Sequence, residues 1–101
     1  MEFSGFDWDP GNRTKCQKHG VSLAEIESLF RGRMRVAPDP AHSVAEERFK
    51  AIGRTREGRH VFVVFTLRER DGDVLIRPVS ARYMHRQEVW HYEEETSGSD
   101  D

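Results

Sequence analysis

A chain of 101 residues, 36% apolar and 34% charged, holds one domain with a modest core, in which ten aromatic side chains supply much of the buried area. Its longest apolar run, Val61–Phe65, falls far short of the roughly 20 residues a membrane-spanning helix needs; Met1–Ser4 lacks the basic and apolar segments of a secretory signal, and the lone Cys16 excludes an internal disulfide, so a reducing cytoplasm and no membrane partner are expected. The formal charge of −2 hides a segregation, because residues 10–92 carry all 16 basic residues against 10 acidic ones, and thirteen of the sixteen are arginines, whose planar forks suit phosphate.

Residues 2–8, with aromatics at 6 and 8 around an acid, read as a short strand. Asp9 as N-cap, Pro10 at the first helical position and Gly20 beyond the end predict a helix over Pro10–His19, on the surface because Cys16 is its one apolar residue. Ser22 and Glu25 form a capping box, with Val21 and Ile26 placed as a hydrophobic staple. Leu23, Ile26, Leu29 and Phe30 form the buried stripe of a second helix that Gly32 stops. Arg33–Val36 alternates as a short strand ended by Pro38-Asp39-Pro40, and a loop follows to Val44. Three strands come next: Glu46–Thr55, the doubly covered Arg59–Glu69, and Val74–Ala81, the last two joined by the hairpin signal Asp71-Gly72. Pro78 marks an edge or a bulge. Arg82–Glu94 reads as a closing helix. The class is α+β: an antiparallel sheet of about four strands, two N-terminal helices and a C-terminal helix, in the order β-α-α-β-β-β-β-α or with one short strand absent. Residues 1–95 form the single domain, and 96–101 an acidic tail without structure.

Several residues invite a chemical reading. Lys18 and His19 close the first helix, where the helix dipole alone favours cations; functionally, His19 would carry a proton near neutral pH and Lys18 contact a phosphate. Glu47 and Arg48 alternate on a strand and so leave opposite faces, with Arg48 in a column with Lys50, Ile52 and Arg54 that can track a phosphate backbone. Arg82, at the junction of strand and helix, can hold a phosphate together with the helix N-terminus, the bland alternative being a pair with Glu88. Arg59 and Arg86 extend the cationic contacts. Trp8 and Trp90 are read as core residues, with base stacking as the alternative. The five histidines show no ligand spacing, so no metal is expected, and a nucleophilic Cys16 is the weaker reading of that thiol.

Taken as blocks, Phe6-Asp7-Trp8-Asp9, Asn12, Lys15 and Lys18-His19-Gly20-Val21-Ser22 resemble the opening of the BrnT family of toxins. Glu47-Arg48-Phe49, Ala51-Ile52-Gly53-Arg54, Val63-Val64-Phe65-Thr66 and Ser80-Ala81-Arg82, with Glu88 and Tyr92, continue the resemblance in order. It implies a RelE-like fold and a cofactor-free endoribonuclease acting on mRNA, paired with a ribbon-helix-helix antitoxin through which alone the chain would meet DNA. Its closing signature ends on Arg82, and the candidates are then Arg82, Arg48, His19, Lys18 and Glu47 as catalytic residues, with RNA contacts by Lys50, Arg54, Arg59 and Arg86. The competing expectation is a catalytically inactive partner whose task is to bind the antitoxin and modulate repression of the operon.

Overall fold

The computed structural model describes residues 2–98, among which lie five strands and three α-helices. They are β1 (Gly5–Phe6), α1 (Pro10–Gln17), α2 (Leu23–Arg31), β2 (Met34–Pro38), β3 (Phe49–Arg54), β4 (His60–Arg70), β5 (Asp73–Tyr83) and α3 (Arg86–Gly98), with a 3₁₀ turn at Pro40–His42. The strands form one sheet in the order β1-β5-β4-β3-β2. The expected α+β class and element order hold, but the sheet has five strands rather than about four. The strand expected over residues 2–8 narrows to β1 and joins the sheet as its fifth member, pairing in parallel with β5 (Gly5 opposite Leu75, Phe6 opposite Ile76), while every other pairing is antiparallel.

Local chemistry sets the element ends. Asp9 accepts from the Asn12 N–H and the Asn12 side chain answers the Asp9 N–H, a reciprocal cap on α1. That helix stops at Gln17, short of the expected His19, because Gly20 takes a φ of 91° and turns the chain toward α2. Ser22 and Glu25 close the expected capping box on α2. Asp71 and Gly72, with φ of 54° and 86°, make the tight turn between β4 and β5. Pro78 lies at a bulge: Val64 faces Ser80 but Phe65 faces Pro78, so Val79 is left over.

One face of the sheet packs on α2. Val61, Val63 and Phe65 of β4, Ala51 of β3, Ile76 and Ala81 of β5, Ile26, Leu29 and Phe30 of α2, and Cys16 of α1 form the buried core. Phe65 meets Phe30 edge-to-face at 5.0 Å and stacks on Phe49 at 5.5 Å. Gly53 lets α2 approach, since a Cβ there would lie 2.9 Å from Met34 Cγ and 3.0 Å from Leu29 Cδ2. The opposite face of β4 presents Phe62, Val64, Thr66 and Arg68, by the two-residue alternation of a strand; Phe62 and Val64 are only half-buried, so the strand expected to be covered on both faces is fully covered on one. The closing helix starts at Arg86, not Arg82: Arg82 and Tyr83 still pair with Phe62 and Val61 and belong to β5. Thr96–Gly98, expected in the tail, are the end of α3; the remainder of that tail, residues 99–101, lies outside the described residues. Trp8 packs against the core, with its indole N–H donating to Glu27 at 2.8 Å, but Trp90 is 56% exposed and is no core residue. No described helix is long and apolar enough to cross a membrane.

Candidate functional site

On the face away from α2, the strand register sets Arg35, Ile52, Phe62 and Arg82 side by side across β2, β3, β4 and β5. The row beside it runs Ala37, Lys50, Val64, Ser80. On the other side Arg54 faces His60, which is buried. The surface is thus an apolar centre edged by cations. Tyr92 of α3 meets the His60 ring at 5.7 Å, and a cleft of about 670 Å³ opens between Arg35, Ile52, Arg54, His60 and Tyr92. Burial and the neighbouring Arg54 hold the His60 pKa below the ordinary imidazole value.

Arg82 does not sit at a helix N-terminus. Its guanidinium lies 5.0 Å from the Phe62 ring and donates to both Glu88 oxygens, at 2.7 and 2.8 Å. Glu88 also accepts from the His85 N–H at 2.9 Å, so one carboxylate caps α3 and grips the arginine. Hydrogen bonding to Arg82, then to the His85 backbone, lowers the Glu88 pKa to about 2. Hydrogen bonding to Glu88 raises that of Arg82.

Glu47 and Arg48 are not alternating strand residues, because β3 begins only at Phe49. They belong to a preceding loop that Thr66 pins, its hydroxyl donating to the Glu47 carbonyl at 2.8 Å. The Glu47 residue is exposed. Arg48 lines a second cleft with Asp9, Lys15, Glu46, Arg68 and Arg77. Lys50 and Arg54 do flank Ile52 on the open face, as the alternation predicts.

Lys18 and His19 are exposed in the turn after α1, and Gly20 of that turn abuts the Tyr83 ring. Tyr83 points to the α2 side, where its hydroxyl donates to the Glu25 carboxylate at 3.0 and 3.1 Å. Arg82, the preceding strand residue, points the other way. The turn therefore does not share the face of the Arg82 side chain. Arg59 stacks 3.5 Å from the Tyr83 ring centre, and Arg86 opens α3 beside a smaller cleft with Arg59, His60, Met84 and Trp90. Burial, then the bond to Glu25, raises the Tyr83 pKa, and hydrogen bonding with Ser22 leads the causes that lower that of Glu25.

Sequence reasoning missed Arg35, Lys15, Arg68, Arg77 and Tyr83. The alternation of Arg33-Met34-Arg35-Val36 carried a signal for Arg35. Tyr83 was hidden by starting the last helix too early. Arg68 and Arg77 carried none, since only the pairing of β4 with β5, Thr66 opposite Arg77 and Arg68 opposite Leu75, brings them together. Cys16 is fully buried, and burial pushes its thiol up to about 11, which leaves no thiolate for attack near neutral pH.

Among curated proteins the chain finds no match. Among protein families, the model described as the ribonuclease toxin BrnT of a type II toxin–antitoxin system matches residues 8–88, a span that holds β2 to β5, the first two helices and the Arg82–Glu88 pair. The chain belongs to the BrnT family of ribonuclease toxins of type II toxin–antitoxin systems.

Proposed function

We propose that this chain is an endoribonuclease of RelE-like fold that cleaves mRNA without a metal or other cofactor, and that a ribbon-helix-helix antitoxin neutralises it. The observation that carries the reading is the row Arg35-Ile52-Phe62-Arg82 on the sheet face away from α2, flanked by Lys50 and Arg54. Cleavage needs a base to take the 2′-hydroxyl proton, cations to stabilise the pentavalent phosphate, and an acid to protonate the leaving 5′-oxygen. Arg82 supplies the second of these, presenting two parallel N–H donors that now hold the two Glu88 oxygens as they would hold two phosphate oxygens. Fixed guanidinium charge does here what a bound cation does in metal-dependent nucleases. Lys50 and Arg54 hold flanking phosphates on the same face, Arg86 extends the track toward α3, and Phe62 offers a ring to a base, whereas Arg59, stacked on Tyr83, reaches RNA only beyond the end of β5. Lys18 and His19 take part in proton transfer only if the strand wraps the turn beside Tyr83, and Glu47 only if its loop turns inward.

The Arg82–Glu88 pair also favours a second reading, in which the arginine is permanently neutralised and the chain serves only to bind its antitoxin. Expression in bacteria and RNA cleavage by the purified chain separate the two. Wild type arrests growth and cleaves RNA, and Arg82→Ala loses about 100-fold or more of the cleavage rate, the scale of removing one donor to a transition-state oxyanion. Equal growth and no cleavage for wild type and variant alike overturns the catalytic reading.

A further inference from the structure

The second cleft, of about 370 Å³, is built from four separated segments. Lys15 comes from α1, Arg48 and Glu46 from the loop before β3, Arg68 from β4, and Arg77, Pro78 and Val79 from the bulged part of β5. Four cations and two carboxylates, Asp9 and Glu46, surround it. The carboxylates are engaged: Asp9 accepts from Arg77 at 2.7 Å, and Glu46 pairs with Arg68 at 3.3 Å. Among the described residues neither Lys15 nor Arg48 has a carboxylate partner, so two of the four cations of the cleft are left without one.

Arg77 is held in place from two sides, by Asp9 and by Asp7 at 3.5 Å. The cleft adjoins the face that carries Arg82, because Thr66 and Arg68 follow Phe62 and Val64 on the same side of β4. Pro78 lies four residues before Arg82 in β5, about 13 Å along the strand. No aromatic or long aliphatic side chain lines the cleft, so it offers a protein partner no buried anchor and a base no stacking surface. Its chemistry is that of an anion site.

We infer that this cleft is a second phosphate subsite, in which Lys15 and Arg48 bind the backbone of a single-stranded RNA that continues from the Arg82 row. The inference rests on the ribonuclease reading and adds to it the path of the strand. Arg68 and Arg77 shape the site and raise its potential, while the two unpaired cations make the contacts.

Fluorescence anisotropy tests it, with the full chain and a labelled, 2′-O-methylated decanucleotide, whose blocked 2′-oxygens cannot attack phosphorus and so leave the P–O5′ bonds intact. Each phosphate contact to a single strand contributes about 0.7 to the slope of log affinity against log salt. Lys15→Gln lowers the slope by about 0.7, the Lys15→Gln/Arg48→Gln pair by about 1.4 with a tenfold or greater loss of affinity at low salt, and Lys15→Arg keeps the wild-type slope. Lys15 is exposed, so the single variant stands as the test even if the double variant melts early. An unchanged slope overturns the inference. So does loss of antitoxin binding with RNA binding intact, or protection of the melting temperature by inorganic phosphate with no effect of the variants on RNA. Because the probe is not cut, the two readings fail separately: no cleavage of natural RNA with the slope difference present removes only the catalytic proposal, and cleavage with an unchanged slope removes only the subsite.

Discussion

Two glutamates each perform two tasks. Glu25 completes the cap of α2 through the Ser22 N–H and accepts from the Tyr83 hydroxyl. Glu88 takes the His85 N–H at the start of α3 and both donors of Arg82. Tyr83 and Arg82 are adjacent in β5 and point to opposite faces, so the two carboxylates tie a helix to each side of one strand end. The Glu88 carboxyl is held at about 2, below its ordinary 4.5, so its pairing contributes stability above about pH 4.5 that is lost as pH falls through about 2. Thermal melts across that range should therefore show a gap between wild type and Glu88→Gln that is full at pH 7 and closes toward pH 2. A gap independent of pH would mean that the carboxylate charge is not what holds α3. The pairing of Arg82 with Glu88 was legible as an alternative from their spacing, but the choice between it and a free arginine depends on where α3 begins, which two residues of extra strand decide.

At the level of elements, α2 combines a buried stripe with a reciprocal cap, and Ser22→Ala should cost about 1 kcal/mol in denaturant unfolding. Glu25→Ala, which removes the other half of the box and the Tyr83 acceptor, should cost about 2 kcal/mol. Equal costs would show that the Tyr83 bond adds nothing. Both helix starts were readable in the sequence because a cap joins residues three apart. The end of β5 was not: Arg82-Tyr83-Met84 carries no Gly or Pro to break it from a helix, and pairing with Val61 and Phe62 keeps it in the sheet. Glu47 and Arg48 were misplaced for the opposite reason, since their alternation mimics a strand while the Thr66 hydroxyl and the Ser43 side chain, which accepts from the Arg48 N–H, hold them in a loop. Trp90 faces solvent because α3 meets the sheet through Glu88 and Tyr92 instead.

Across the whole molecule, the N-terminal segment is joined to the last hairpin by pairs up to 70 residues apart. The Ser4 and Asp7 N–H groups donate to the Val74 and Ile76 carbonyls, and Asp7 and Asp9 pair with Arg77. Phe6 fastens that segment against Phe3, Trp8 and Phe30. Phe6→Ala should cost about 2 kcal/mol, less than the loss of a fully buried phenylalanine because Phe6 is half-buried, and speed hydrogen exchange at Ser4 and Asp7 before the β4–β5 hairpin loosens. Simultaneous loss of protection in both would show that β1 is not a separately opening edge. These contacts also redistribute the charge, since the N-terminal acids that stand apart in the sequence settle on Arg70 and Arg77 and leave Lys15, Arg48 and the Arg82 face as the cationic surface. The sequence by itself determined the caps of α1 and α2, the Asp71-Gly72 turn, the apolar run of β4 and the family blocks, because each is written in residues within a few positions of one another. The parallel docking of β1, the pairing of Arg82 and the meeting of Lys15 with Arg48, Arg68 and Arg77 were decided by tertiary structure alone. They depend on strand register and a bulge, and these arise only when the whole sheet closes over one core.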